Sequence, residues 1–343
     1  MIRLECDYTQ GAVPEIIKRL AETNLEMTPG YGEDCYYASA ADKIRGEINM
    51  PEADVHFLVG GTQTNMLFIS SVLRPHQGVM CAHTGHINAH ETGAVEATGH
   101  KVITIASDDG TINAQQVREI LDAHYADASH EHIVQPAMVY ISFPTENGTL
   151  YSKAQLTELS ALCRERDIPL YLDGARLGYG LMSEECDLTI CDIAKFCDAF
   201  YIGGTKVGAL FGEALVITNS KYTKDFRYIE KQKGAMLAKG RLLGLQFDTL
   251  FTDSLYYKIS SHATSLAMKI RKAFQSKDIE LYFDSPTNQQ FPCLTDEQMA
   301  KLGEEFAYCY WCKSGDKHVV RFCTSWATKE EDVDKLIEAI ERL

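Results

Sequence analysis

Phe200-Tyr201-Ile202-Gly203-Gly204-Thr205-Lys206-Val207-Gly208-Ala209-Leu210-Phe211-Gly212 sets a short apolar strand against a glycine-rich turn that carries one lysine. A lysine bracketed by glycines and apolar neighbours is poorly placed for a solvated role, and partial desolvation makes its amine a competent nucleophile. The strand is one of a series. Short apolar runs at residues 54–59, 79–82, 101–105, 137–142, 170–173, 199–202 and 215–218 alternate with helical periodicity at 62–73, 114–124 and 153–166. That alternation predicts an α/β fold built on a mostly parallel seven-stranded sheet. In such sheets the ligand crevice lies beyond the carboxyl ends of the strands, so functional residues are expected just after them.

Beyond residue 219 the texture changes. Helical periodicity at 223–251 and 256–274 gives way to short mixed strands, and a last helix is expected over 329–343. Thr328, with Glu331 three residues on, has the S/T-x-x-E pattern of a capping box at its start. The expected division is residues 1–250, an N-terminal segment with a large ligand-binding domain, and residues 251–343, a smaller C-terminal α+β domain.

The 343 residues include 33 Lys and Arg against 48 Asp and Glu, a formal charge of −15. The acidic balance and the lack of a basic stripe argue against a nucleic-acid partner, whose phosphates require clustered Lys and Arg. The start, Met1-Ile2-Arg3-Leu4-Glu5-Cys6-Asp7, has no apolar signal region, and no run approaches the ~18 apolar residues of a membrane span. Eleven cysteines, an odd and scattered set, read as reduced thiols. A cytoplasmic protein with no membrane partner is expected. Cys309-Tyr310-Trp311-Cys312 is a lone C-x-x-C without a second pair and reads as strand packing.

Three further segments follow strands. Val59-Gly60-Gly61-Thr62 opens an apolar helix, where free N–H groups and the Thr62 hydroxyl suit a phosphate. In Tyr171-Leu172-Asp173-Gly174-Ala175-Arg176, a carboxylate and a guanidinium reach one crevice. They either pair with each other at the sheet edge, or Asp173 meets a cationic heterocycle nitrogen while Arg176 is left free to grip a carboxylate. His83-Thr84-Gly85-His86-Ile87-Asn88-Ala89-His90-Glu91 invites a metal reading, but a flat imidazole against a flat cofactor, or acting as acid or base, suits it better, and no metal is expected. A phosphate site, an acid for a pyridinium nitrogen, an arginine for a carboxylate and a Schiff-base lysine together point to pyridoxal phosphate acting on an amino acid.

Over nearly its whole length the sequence resembles the threonine aldolases, in the pyridoxal-phosphate fold-type I group that also holds the aromatic amino acid β-eliminating lyases. The likeness begins at Asp7-Tyr8-Thr9-Gln10-Gly11-Ala12-Val13-Pro14 and Pro29-Gly30-Tyr31-Gly32-Glu33-Asp34 and runs through the segments above. It continues in Lys231-Gln232-Lys233-Gly234-Ala235-Met236-Leu237-Ala238-Lys239-Gly240 and ends at Arg321-Phe322-Cys323-Thr324-Ser325-Trp326.

The resemblance implies an aspartate-aminotransferase-like fold and a pyridoxal 5'-phosphate bound covalently as a Schiff base to Lys206. Asp173 would face the pyridine nitrogen, Gly61 and Thr62 would hold the phosphate, and His86 would lie over the ring. Arg176 and Arg321 would clamp the substrate carboxylate, with Tyr31 nearby. Lys239 would reach a neighbouring subunit's phosphate, in a homotetramer of dimers that share active sites. The implied reaction is retro-aldol cleavage of L-threonine or L-allo-threonine to glycine and acetaldehyde, with His86, or a water that it orients, as base. β-Elimination or racemisation of another amino acid is the alternative within enzymes. A non-catalytic carrier of the cofactor, or of a metal through His83, His86 and His90, is the alternative outside them. Cys6, Val13 and Val207 depart from the family pattern and bear on the substrate side chain.

Overall fold

In the computed structural model, which describes residues 1–343, the apolar runs assemble into one seven-stranded sheet. Its spatial order is Asp54–Leu58, Glu213–Ile217, Ala199–Gly203, Leu170–Asp173, Gln135–Ser142, Gln77–Ala82 and Lys101–Ile105. Glu213–Ile217 runs antiparallel to both neighbours, and every other pair is parallel. Successive side chains point to opposite faces of a strand, and here both faces are buried. Val55, Phe57, Leu170, Leu172, Phe200 and Ile202 meet the helices Cys35–Ile48, Ala114–Ala126 and Lys153–Glu165 on one side. Tyr171, Tyr201, Leu215 and Ile217 meet the helix Gly61–Val72 on the other. Two covered faces explain why these runs are almost continuously apolar.

The hairpin that returns the chain from Ala199–Gly203 to Glu213–Ile217 pairs Gly203 with Glu213. Lys206 therefore hangs in the connecting loop at the carboxyl edge of the sheet, and Glu213 stands beneath it.

The second lobe packs Leu266, Ile270 and Phe274 of the helix Leu255–Ser276 against Val333, Leu336 and Ile340 of the helix Glu330–Glu341. The strand Lys317–Cys323 supplies Val320 and Phe322 to the same core. Ile2–Arg3 pairs with Phe306–Ala307 in this lobe, and the Leu4 carbonyl accepts the Cys323 N–H at 2.7 Å. The chain's first residues are thus anchored beside the cleft of the large sheet. Cys309 and Cys312 lie on the strand Cys309–Ser314, half-buried and unpaired. No helix is long and apolar enough to cross a membrane.

Two local expectations need correcting. Residues 223–251 form two helices, Phe226–Gln232 and Arg241–Leu250, because Gly234 adopts φ +72° and ends the first. The capping box at Thr328 does not form: Lys329 is the cap residue, and the Thr328 hydroxyl accepts the Ser325 N–H at 2.8 Å instead. Glu330, Glu331 and Asp332 still favour that helix start through its dipole.

Candidate active site

Six of the predicted site residues line a single cleft of about 210 Å³ at the carboxyl edge of the sheet: Gly61, Thr62, His86, Asp173, Arg176 and Lys206. Burial, and then the Arg176 guanidinium, push the Lys206 ammonium below its ordinary pKa, while Asp7, Asp173 and Glu213 pull the other way. The outcome is an amine with a larger neutral fraction than a surface lysine has. The Tyr8 ring lies 6.0 Å from Nζ.

Asp173 ends its strand nearly inaccessible, at 4% exposure, yet stays ionised. Burial alone would raise its pKa, but the His86 charge and hydrogen bonds from Tyr140, Tyr201 and Asn65 hold it below the usual range. Oδ2 accepts from the Tyr140 hydroxyl at 2.6 Å and Asn65 Nδ2 at 3.0 Å, and Oδ1 accepts the Ala175 N–H at 3.0 Å. A fixed carboxylate of this kind suits a protonated ring nitrogen.

The helix Gly61–Val72 opens on the cleft with Gly60 as its cap residue and no side-chain cap, so its first N–H groups remain for an anion. A Cβ at Gly61 would lie 2.9 Å from the Tyr201 hydroxyl, so only glycine lets the helix start approach so closely. With the Thr62 hydroxyl beside it, this end suits a phosphate. The cleft thus fits pyridoxal phosphate at both ends, with an anion cradle at one and an ionised acid at the other.

His86 is fixed by Glu91, whose Oε1 lies 2.8 Å from Nδ1 and 2.7 Å from Asn65 Nδ2. Burial lowers the imidazole pKa, but the Glu91 hydrogen bond and the Asp173 charge outweigh it and leave His86 raised. His83 and His90 are exposed, and no group of three His, Cys, Asp or Glu is gathered as for a metal. His124, His130 and His132 lie outside the cleft.

The arginines differ from the sequence expectation. Arg176 is neither free nor paired with Asp173; Nε and Nη2 bind the two oxygens of Asp7 at 2.7 and 3.0 Å. A planar guanidinium can hold Asp7 with one edge and keep Nη1 for a ligand. Arg321 has only neutral partners, the Gln289 Oε1 at 3.0 Å and the Glu5 carbonyl at 3.1 Å, and its buried Nε has none. It lies over the Trp311 ring at 5.3 Å, close enough to Tyr8 and His90 to shift both.

Asp7 is held down to about 2 against an ordinary 3.8: burial opposes this, and Arg176 and Lys206 overcome it. Its contribution to stability is complete above pH 3.8 and is lost as pH falls toward about 2. Asp7→Asn, which strands a buried guanidinium, is expected to cost about 3–5 kcal/mol in urea unfolding at pH 7. The gap from wild type should narrow as acid protonates Asp7; a constant gap would remove the ion pair as its cause.

Tyr31 and Lys239 do not reach the cleft within one chain. They lie on neighbouring exposed loops, where the Tyr31 N–H donates to the Ala238 carbonyl at 3.2 Å and Lys231 covers the Tyr31 ring at 4.4 Å.

The sequence reading missed several cleft groups. Glu213 begins an otherwise apolar buried strand, a signal in itself, and burial pushes its carboxyl up to about 8. Its Oε2 accepts the Gly204 N–H at 3.0 Å, so it braces the lysine loop. Glu146 follows the strand Gln135–Ser142 within a Pro-Thr-Glu-Asn-Gly run that reads as a plain turn. Asn65 and Tyr140 face Asp173 from helix and strand interiors, where nothing local marks them.

The model of the beta-eliminating lyase family matches residues 4–320. The chain belongs to that family. A low specificity L-threonine aldolase of Pseudomonas sp. (strain NCIMB 10558) is 29% identical, covering 96% of this chain and 94% of its own length. The structure of a Leishmania major threonine aldolase superposes with a TM-score of 0.97 at 41% identity, covering 100% of this chain and 99% of that one. A Thermus thermophilus aspartate aminotransferase shares the fold at a TM-score of 0.72 and 15% identity, over 100% of this chain and 91% of its own. The lyase family is one of pyridoxal-phosphate enzymes of fold type I.

Proposed function

We propose that this family member cleaves L-threonine or L-allo-threonine to glycine and acetaldehyde with pyridoxal phosphate carried on Lys206. The observation that carries the reading is the convergence of Lys206, Asp173 and an uncapped helix start in one cleft. Likeness to threonine aldolases over the full chain supports the choice of reaction. Bound there, the cofactor supplies an electron sink for the pair released when the bond between Cα and Cβ breaks.

The chain's own residues do the rest. Lys206 Nζ would supply the amine that holds the cofactor, its neutral form favoured by burial and Arg176. Asp173 would keep a proton on the ring nitrogen, and Gly61 and Thr62 would hold the phosphate. His86, clamped by Glu91, would pack against the ring and hold it in place. Arg176, which lines the cleft, and the guanidinium of Arg321, which lies outside its lining, would bind the substrate carboxylate and so set the orientation of the bond to be broken.

The reading extends to a cytoplasmic homotetramer in which Lys239 and Tyr31 serve a neighbouring copy's site, and to a domain division near residue 250. Light scattering tests the oligomer. The reaction is tested by supplying L-threonine and L-allo-threonine separately and assaying aldehyde and glycine. Ammonia with a keto acid would replace aldol cleavage by elimination.

Arg321→Ala removes a cation that has no carboxylate partner of its own. Its amino acid affinity is expected to fall by about 1.5–3 kcal/mol, roughly 10- to 150-fold, in glycine titrations. Unchanged affinity would take Arg321 out of the carboxylate site.

A further inference from the structure

One cleft carboxyl has no part in the assignments above. Glu146 lies four residues past the strand end at Ser142 and lines the cleft beside His86. Its Oε1 accepts the His86 backbone N–H at 2.9 Å and the Ser142 hydroxyl at 2.7 Å. Both donors converge on one oxygen, which leaves Oε2 for a ligand. Glu146 also borders a second cavity of about 380 Å³, walled by His83, His90, Tyr282, Phe283 and Trp311. It therefore stands between the lysine cleft and a space large enough for the substituent on a substrate's Cβ.

We propose that Glu146 is the general base that takes the β-hydroxyl proton of the substrate. The proposal rests on the aldol-cleavage reading. The O–H bond breaks and its proton passes to Glu146 Oε2, while the pair left on oxygen becomes the second C–O bond of the aldehyde. The pair of the Cα–Cβ bond stays with Cα, which gains one proton to become glycine; the count closes when Glu146 releases the proton it took.

The neighbouring groups favour Glu146 over His86. The His86 Nδ1 is committed to Glu91, and its pKa is raised by that hydrogen bond and the Asp173 charge, which favours the protonated ring and weakens it as a base. Glu146 is pushed upward, by burial first and also by Asp173, against the Ser142 hydrogen bond and the His86 charge. Arg176, Cys81, Tyr140 and Tyr151 also face it. A carboxylate with a raised pKa accepts a proton more strongly than a solvated one.

Glu146→Gln keeps an oxygen for the two hydrogen bonds and loses the base. In the holoenzyme, aldehyde release from L-threonine is expected to fall by ~10²- to 10⁴-fold. Glycine and L-threonine affinities, read from the cofactor absorbance, should stay within ~3-fold, and glycine α-proton exchange should persist, because neither needs a base at a β-hydroxyl. Infrared titration of the cofactor-free protein should lose one carboxyl band with a midpoint above the ordinary glutamate range. Glu146→Asp, which restores a carboxylate, should recover at least ~10-fold over the glutamine variant.

Cleavage retained in Glu146→Gln would overturn the proposal alone. So would an equal loss of cleavage, glycine binding and exchange, which would mark a structural brace. A wild-type enzyme that releases no aldehyde from either isomer would overturn the aldolase reading and the proposal with it.

Discussion

Replacing Lys206 by alanine is expected to cut aldehyde release by at least ~10³-fold and to abolish covalent attachment of pyridoxal phosphate. The amine attacks a carbonyl only when neutral. Burial and the nearby Arg176 favour that form by lowering its pKa, so cofactor loading should reach half its maximum below the 10.5 of an ordinary lysine. No second lysine lines the cleft to substitute for it. The position is also tightly specified: the Tyr179 hydroxyl donates to the Lys206 carbonyl at 2.6 Å, and the Gly212 N–H donates to the Thr205 hydroxyl at 3.0 Å. Borohydride reduction followed by mass measurement reads the attachment directly. A reduced, cofactor-bearing Lys206→Ala protein would overturn the assignment.

The parts of this site that the sequence made legible share one geometric origin. A parallel strand delivers whatever follows it to the same edge, so Gly61, His86, Asp173 and Lys206 could be grouped without knowing any contact. What was hidden depends on partners far apart in sequence. Arg176 pairs with Asp7 across 169 residues and Asn65 with Asp173 across 108, and no periodicity records such meetings. Neither reading open to Arg176 from its sequence neighbours, a pair with Asp173 or a free side chain, includes its partner, because Asp7 is remote along the chain. Glu91 was visible, five residues from His86, but its role was not: at 2.8 Å it is a partner for the imidazole rather than a metal ligand beside it. The break at Gly234 shows the same limit from the local side, because helical spacing of apolar residues continues across a turn that the left-handed glycine has already made.

Asp173→Asn is expected to lower the cleavage rate by ~10²- to 10³-fold with the fold intact, on the order of a lost buried charge pair. The carboxylate now accepts from the Tyr140 hydroxyl, Asn65 Nδ2 and the Ala175 N–H. An amide has one acceptor oxygen for these donors, and its NH₂ must face either the Asn65 amide and Tyr140 hydroxyl or the Ala175 N–H. More importantly, under the proposed assignment the group that would stabilise a proton on the cofactor ring nitrogen becomes neutral, and the ring would lose much of its capacity to accept electrons. A second readout separates this electrostatic role from simple distortion. Asp173 is among the charges that raise the His86 pKa, so its removal should move the His86 ring titration, followed by NMR, to lower pH. Glutamate at the same position would keep the charge and should leave that titration raised even where misplacement slows cleavage. A rate within ~10-fold of wild type for Asp173→Asn would mean that cleavage does not depend on the Asp173 charge.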